Sequence, residues 1–318
     1  MKNKILTYIL LLFCIISATA QKIEKIPFGD MNSWVTRNIK ESAIIGGETK
    51  QVYAIGPEET INGSDAYVPK GGSQWATSNV LAKVVGITKV SNSVYPDTRE
   101  GGGKCAKLTT IMETCKAIGL INIDVLVSGS IFLGHMFEPI KSTTNPYSKL
   151  EMGIPFSKRP VALVFDYKLV IPNSDMIYSS GFGKKRTVKG RDNAEVFIYL
   201  QRRWEDSDGN IHAKRVGTAR ELFGKTTSGW INGYKVKVNY GDITSAPYYN
   251  SRMALIPKDN SYYARNSKGK MVPVVEEGWD EANATPTHLL IMFSAGSNGA
   301  YIGAEGSTFW VDNIALAY

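Results

Sequence analysis

The chain is poor in histidine and cysteine, with three of each in 318 residues. His135, His212 and His288 stand at no metal-ligand spacing, and no Cys-x-x-Cys occurs, which argues against a zinc or thiol-redox centre. A Gly-x-Ser-x-Gly nucleophile elbow is missing. Gly101-Gly102-Gly103-Lys104 lacks the upstream glycine of a phosphate loop, and Cys105 stands where that loop needs Ser or Thr. Beyond the first twenty residues no apolar run is long enough to span a bilayer. Helical periodicity is weak everywhere; residues 109–118 alone fit a short helix as well as a strand followed by a turn. No repeat, linker or composition shift divides the rest, so residues 21–318 read as one domain.

What is present begins with a secretory leader. Lys2 and Lys4 precede an apolar run over residues 5–16, and Ala18-Thr19-Ala20 supplies the small-x-small cleavage site, with Gln21 as the mature start. A lipoprotein reading of Cys14 conflicts with the bulky Phe13 before it. Removing residues 1–20 leaves 298 residues, and losing Lys2 and Lys4 takes the net charge from +8 to +6. That mild excess aids solubility and gives little support for nucleic-acid binding. Cys105 and Cys115 remain in an exported chain, either as a disulfide or as two buried thiols.

The mature chain reads as strands punctuated by Gly, Asn, Asp and Pro. Residues 234–240 alternate aromatic or aliphatic side chains with Lys, Lys and Asn, the period of a half-buried strand. Residues 161–170, 288–293 and 308–316 are further strands, with Pro160 at the start of the first. Residues 196–200 are apolar on both faces, as in a central sandwich strand, and Asp208-Gly209 marks a two-residue hairpin turn before residues 211–213. In the last strand Trp310, Asp312, Ile314 and Leu316 alternate with Phe309, Val311 and Ala315. Residues 21 to about 60 lack periodicity and are expected to wrap the sandwich edge. Many strands and few helices make this an all-β sandwich or barrel.

Residues 129–134 (Gly-Ser-Ile-Phe-Leu-Gly), 153–160 (Gly-Ile-Pro-Phe-Ser-Lys-Arg-Pro), Asp166-Tyr167-Lys168 and the closing residues 301–314 occur in an order that resembles the putative carbohydrate metabolism domain (PCMD) family of exported Bacteroidota proteins. The resemblance implies a jelly-roll β-sandwich like that of carbohydrate-binding modules, and glycan handling at the cell envelope. It supplies no catalytic residues. Gly153, Gly303 and Gly306 suit turns or bulges with positive φ.

Sugar rings stack their C–H faces on Trp and Tyr while fixed polar groups take their hydroxyls. Trp230, Trp279, Tyr248 and Tyr249 sit in loop-like sequence and are the candidate platforms; core capping is the plainer reading of any one of them, and Trp34 and Trp310 are assigned to packing. Asp312 lies in an apolar strand and needs a partner. That partner is a structural calcium, with Asp30 as second ligand, or else backbone amides or an arginine. Asp206-Ser207-Asp208-Gly209-Asn210 is better explained as a hairpin than as a calcium loop, and Lys184, Lys185, Arg186, Lys189 and Arg191 as a solvated basic loop. A glycoside hydrolase needs two carboxyl groups across a cleft; Glu138, Asp166 and Glu195 are strand acids that nothing pairs in sequence. The expected function is carbohydrate binding outside the cytoplasm. The alternatives are a hydrolase on the same fold and an adhesive or structural protein with a protein partner.

Overall fold

The computed structural model describes residues 21–69, 72–117, 121–181 and 185–318; the leader over residues 1–20 lies outside them. The described chain is a sandwich built on eight long strands: β1 (Lys104–Ala117), β2 (Ser130–Met136), β3 (Ala162–Val170), β4 (Ala194–Glu205), β5 (Ile211–Phe223), β6 (Ile231–Lys237), β7 (His288–Ser294) and β8 (Thr308–Ala317). Sheet one has the order β1-β8-β3-β6 and sheet two the order β2-β7-β4-β5, with all neighbours antiparallel. Apart from the β4–β5 hairpin within sheet two, successive strands therefore pass back and forth between sheets, and the last strand is inserted between the first and third. This is the connectivity of a jelly roll.

The alternation of apolar residues explains the layers. Leu163, Phe165, Tyr167 and Leu169 of β3 face Val196, Ile198 and Leu200 of β4 and Phe293 of β7 in one core that draws residues from Ile26 to Leu316. Phe165, Tyr167, Phe223, Tyr234, Phe293 and Phe309 make it aromatic; the Phe165 and Phe293 centroids lie 4.9 Å apart, edge to face. Each such ring fully buried contributes roughly 1.5–3 kcal/mol. β4 is apolar on its other face as well, because Phe197 and Tyr199 pack with Phe132 and Leu290 under Ile256 and Tyr262.

Several local expectations change. Of the two readings left open for residues 109–118, the strand is the one formed, since residues 109–117 belong to β1. The strand expected over 234–240 starts earlier, at Ile231, and breaks at Val238 before Asn239–Tyr240. The β4–β5 turn is a five-residue loop, not a two-residue one: Glu205 pairs with Ile211, and the Asp206 carboxylate accepts from the Asp208 and Asn210 amides. Trp34–Lys40, Thr49–Ile55 and Glu59–Asn62 form a three-stranded sheet of their own, where an irregular wrap was expected. Cys105 and Cys115 are free thiols on one strand, ten residues or about 33 Å apart when extended. Burial pushes the Cys105 thiol up to about 12. Gly153 and Gly306 have positive φ as expected, but Gly303 does not. It is glycine for space, since a Cβ there would lie 2.8 Å from Asp192 Oδ2.

Candidate functional site

The outer face of sheet one departs from regular alternation at two points, one on either side of Asp166. Between β3 and β8 the register runs Val164↔Ala315 and then Asp166↔Asp312, so β8 carries one extra residue. Between β3 and β6 it runs Phe165↔Tyr234 and then Tyr167↔Ile231, so β6 carries one as well. These are β-bulges, and their left-handed residues are Asn313 (φ 50°) and Gly233 (φ 64°). Asn and Gly are the residues that enter this region at least cost. The β8 bulge corrects the simple alternation expected there. Phe309 and Val311 point into the core, and beyond the bulge Ile314 and Leu316 do so too, leaving Trp310 and Asp312 on the outer face.

Both bulges bind Asp166. Its Oδ1 accepts the Gly233 amide at 2.6 Å and its Oδ2 the Asn313 side-chain amide at 2.8 Å. Arg99 completes the group from the turn between Val94–Thr98 and β1. Its Nη2 donates to Asp166 Oδ2 and to Asn232 Oδ1, each at 2.7 Å, and its Nη1 to Asp312 Oδ2. Asp312 Oδ1 takes the Asn313 amide at 2.7 Å. The guanidinium carbon lies 4.5 Å from the Trp230 ring centroid. One ring face is thus covered by Arg99 while the residue stays partly open to solvent.

The two carboxyls respond differently. Burial opposes the Asp166 charge, but Asn313, the Gly233 amide and Arg99 outweigh it and hold the acid below the usual range. Burial wins at Asp312 and, despite Arg99, raises it, with the neighbouring Asp166 charge acting in the same direction. Next to Asp312, Trp310 donates its Nε1–H to Asp97 at 2.8 Å and lies between Lys107 and Lys168, whose ammonium groups are 5.7 and 4.6 Å from its ring centroid. Among the described residues no carboxylate pairs with either lysine. Trp310 is half-exposed and part of this surface, not of the core as expected; Trp34 is buried, as expected.

The cation that answers Asp312 is Arg99. With a guanidinium against Oδ2 and a backbone amide on Oδ1, the arrangement does not fit a calcium ion, and Asp30 is exposed, with only the Asn32 amide near its carboxylate. Among the described residues no three metal-binding groups converge.

Of the four expected platforms, only Trp230 reaches this cluster. Trp279 ends a strand paired to β5 and lies 5.8 Å from the Arg215 guanidinium. Tyr248 is 48 % exposed, and Tyr249 turns back on Ala246 in the loop after Tyr240. Each strand acid has an arginine partner that sequence spacing hides: Asp166 has Arg99, Glu138 has Arg37, and Glu195 has Arg220. In the basic loop Lys185 lies 3.5 Å from Asp124 and Arg186 stacks on Tyr178; Lys184 is outside the described residues. Arg99 was missed altogether. Its signal is its place beside three glycines with positive φ, a hairpin turn closed by the Arg99 amide on Gly103 O.

The family model described as "Putative carbohydrate metabolism domain" matches residues 47–250, more than half of the chain, and ends before β7 and β8. A solved structure described as a putative glycoside hydrolase from Bacteroides thetaiotaomicron is 17% identical with a TM-score of 0.47, over 89% of this chain and 70% of that one. Another, described as a putative glycoside hydrolase from Bacteroides vulgatus, is 15% identical with a TM-score of 0.43, over 93% of this chain and 94% of that one. No curated protein matches the chain in sequence.

Proposed function

The chain belongs to the putative carbohydrate metabolism domain family, and from that premise we propose that it binds a glycan on the outer face of sheet one, at the cluster centred on Arg99. The carrying observation is Trp230, held against Arg99 beside a fixed array of Asp166, Asn232 and Asp312. Stacking on an aromatic face serves the C–H side of a sugar ring, and preset carboxylate and amide groups serve its hydroxyls. The half-exposed Trp310 extends the same surface. We place this activity outside the cytoplasm, on the reading of residues 1–20 as a leader. Among the described residues no helix is long and apolar enough to cross a membrane.

A hydrolase is the second reading, favoured by one observation. Asp166 and Asp312 face each other across β3 and β8, share one guanidinium, and are shifted in opposite directions. Two carboxyls driven apart in this way can divide acid and base roles.

The test is a glycan panel with the mature protein and with Trp230→Ala. We expect saturable binding to one glycan class, weakened at least tenfold by the substitution while the melting temperature holds. No binding across a broad panel, or binding indifferent to Trp230, overturns the reading and leaves a protein partner as the better account. Turnover of the bound glycan that is lost in Asp312→Asn moves the assignment to a hydrolase.

A further inference from the structure

Where the hairpin Val80–Val84/Ile87–Ser91 meets β1, its paired strand Ile121–Ser128 and sheet two lies a cavity of about 370 Å³. That volume is within the range of small-molecule sites. Its wall is mostly carbon: Val84 and Ile87 from the hairpin, Val125 and Val127 from the strand Ile121–Ser128, Met136 from β2 and Met292 from β7.

Besides Lys89, Glu113 and Lys149, the wall carries the ion pair of Arg220 with Glu195. Arg220 donates from Nε (3.0 Å) and Nη2 (2.6 Å), both to Oε2 of Glu195, and from Nη1 to Arg252 O at 2.8 Å. Glu195 Oε1 receives no donor among the described residues. Arg252 in turn donates to Ser297 O at 2.6 Å, and Ser297 Oγ, on a residue 3% exposed that also lines the cavity, has no partner. One carboxylate oxygen is thus left without a donor at the wall of a largely aliphatic space. A ligand group that donates to it supplies the missing hydrogen bond.

We propose that this cavity binds an aliphatic molecule with a single hydroxyl head, its chain along the valine and methionine wall and its hydroxyl donating to Glu195 Oε1. The exposed surface of the wall is mostly apolar, which disfavours a ring with several hydroxyls, so this site is separate from the Arg99 surface and stands whether or not glycan binds that surface. Glu195 disfavours a carboxylate head. Lys89 on the wall is answered by Glu41 at 3.0 Å and Glu113 at 3.7 Å. Lys149, also on the wall, is the anchor that a carboxylate would use instead.

The test is calorimetric titration of the purified protein with 1-hexanol, 1-octanol and 1-decanol and with the matching alkanoates at pH 7. Each methylene buried is expected to tighten binding about fourfold until the cavity is filled. Decanol should bind at least tenfold tighter than decanoate. Ala82→Leu, which narrows the cavity with an apolar side chain, should abolish decanol binding. Trp230→Ala should change nothing. Absence of saturable alcohol binding, or binding untouched by Ala82→Leu, overturns the proposal. Tighter binding of decanoate overturns the head-group assignment in favour of Lys149.

Discussion

Each sheet carries an arginine clamped by carboxylate on its outer side, and the two clamps differ in what they leave open. Arg215 and Glu276, beside sheet two, are both wholly buried. The guanidinium meets the carboxylate at 2.6 and 2.5 Å, and Gln201 and the Ile256 amide take further positions on it at 2.6 and 2.7 Å. Tyr199 closes over the arginine at 3.7 Å. Its strands are long, and it offers a ligand nothing. Arg99 reaches two carboxylates and an amide from a hairpin turn, its side chain is 14% exposed, and its aromatic neighbour is partly open. The same chemistry is thus closed off where long strands enclose it and open to solvent where bulges bring it to the surface.

The largest effect expected from this contrast is on stability. Arg215→Met leaves Glu276 charged, buried and unpaired, and should cost about 3–5 kcal/mol in urea denaturation. A loss below about 1 kcal/mol would mean that the enclosed clamp does not hold the fold, and the contrast fails. Gly233→Val comes next. A Cβ at Gly233 meets nothing within 4 Å, but its φ of +64° strains any β-branched residue. The expected cost is about 1–2 kcal/mol. Glycan affinity should fall further, at least tenfold, because the Gly233 amide that fixes Asp166 moves; loss of stability with unchanged affinity would separate the bulge from recognition.

The smallest effect is that of pH. The folded pKa of Asp166 lies below its unfolded value, near 4. Its stabilisation is present above that value and lost as pH falls through the folded pKa. Asp312 works in the opposite sense: its pKa is raised, so its charge costs stability at higher pH and that cost vanishes as it takes up a proton. The two partly offset in stability, yet Asp312 protonates first and loosens Arg99. Affinity followed from pH 7 to pH 3 should therefore drop before the melting temperature does. A simultaneous drop would show that the open clamp is as structural as the enclosed one.

The strands were legible because β-rich apolar runs over residues 161–170, 196–200 and 308–316 lie between turn residues and pair as strands in the fold, and the motif order pointed to the jelly roll that the strand connectivity bears out. The site was legible only in pieces. Trp230, Asp166 and Asp312 each drew notice, but strict alternation has no place for an extra residue, so Asp312 was read as a charge among apolar neighbours in need of a partner, with calcium, backbone amides and an arginine all left open. Its partner lies 213 positions away in a glycine-rich turn, where no spacing rule reaches. The cavity was invisible for a similar reason: its wall gathers residues from Ser78 to Tyr301 that adjoin only once both sheets are closed.

Asn313 also sets the phase of the chain's last segment. Without that one extra residue, Ile314 and Leu316 would exchange faces with Ala315 and Ala317, and the closing strand would present methyl groups to a core built for larger side chains. The residue that bridges to Asp166 is thus the same one that keeps the end of the chain in step with the sandwich. Deleting it would disturb the Asp166 cluster and the closure of the sandwich together.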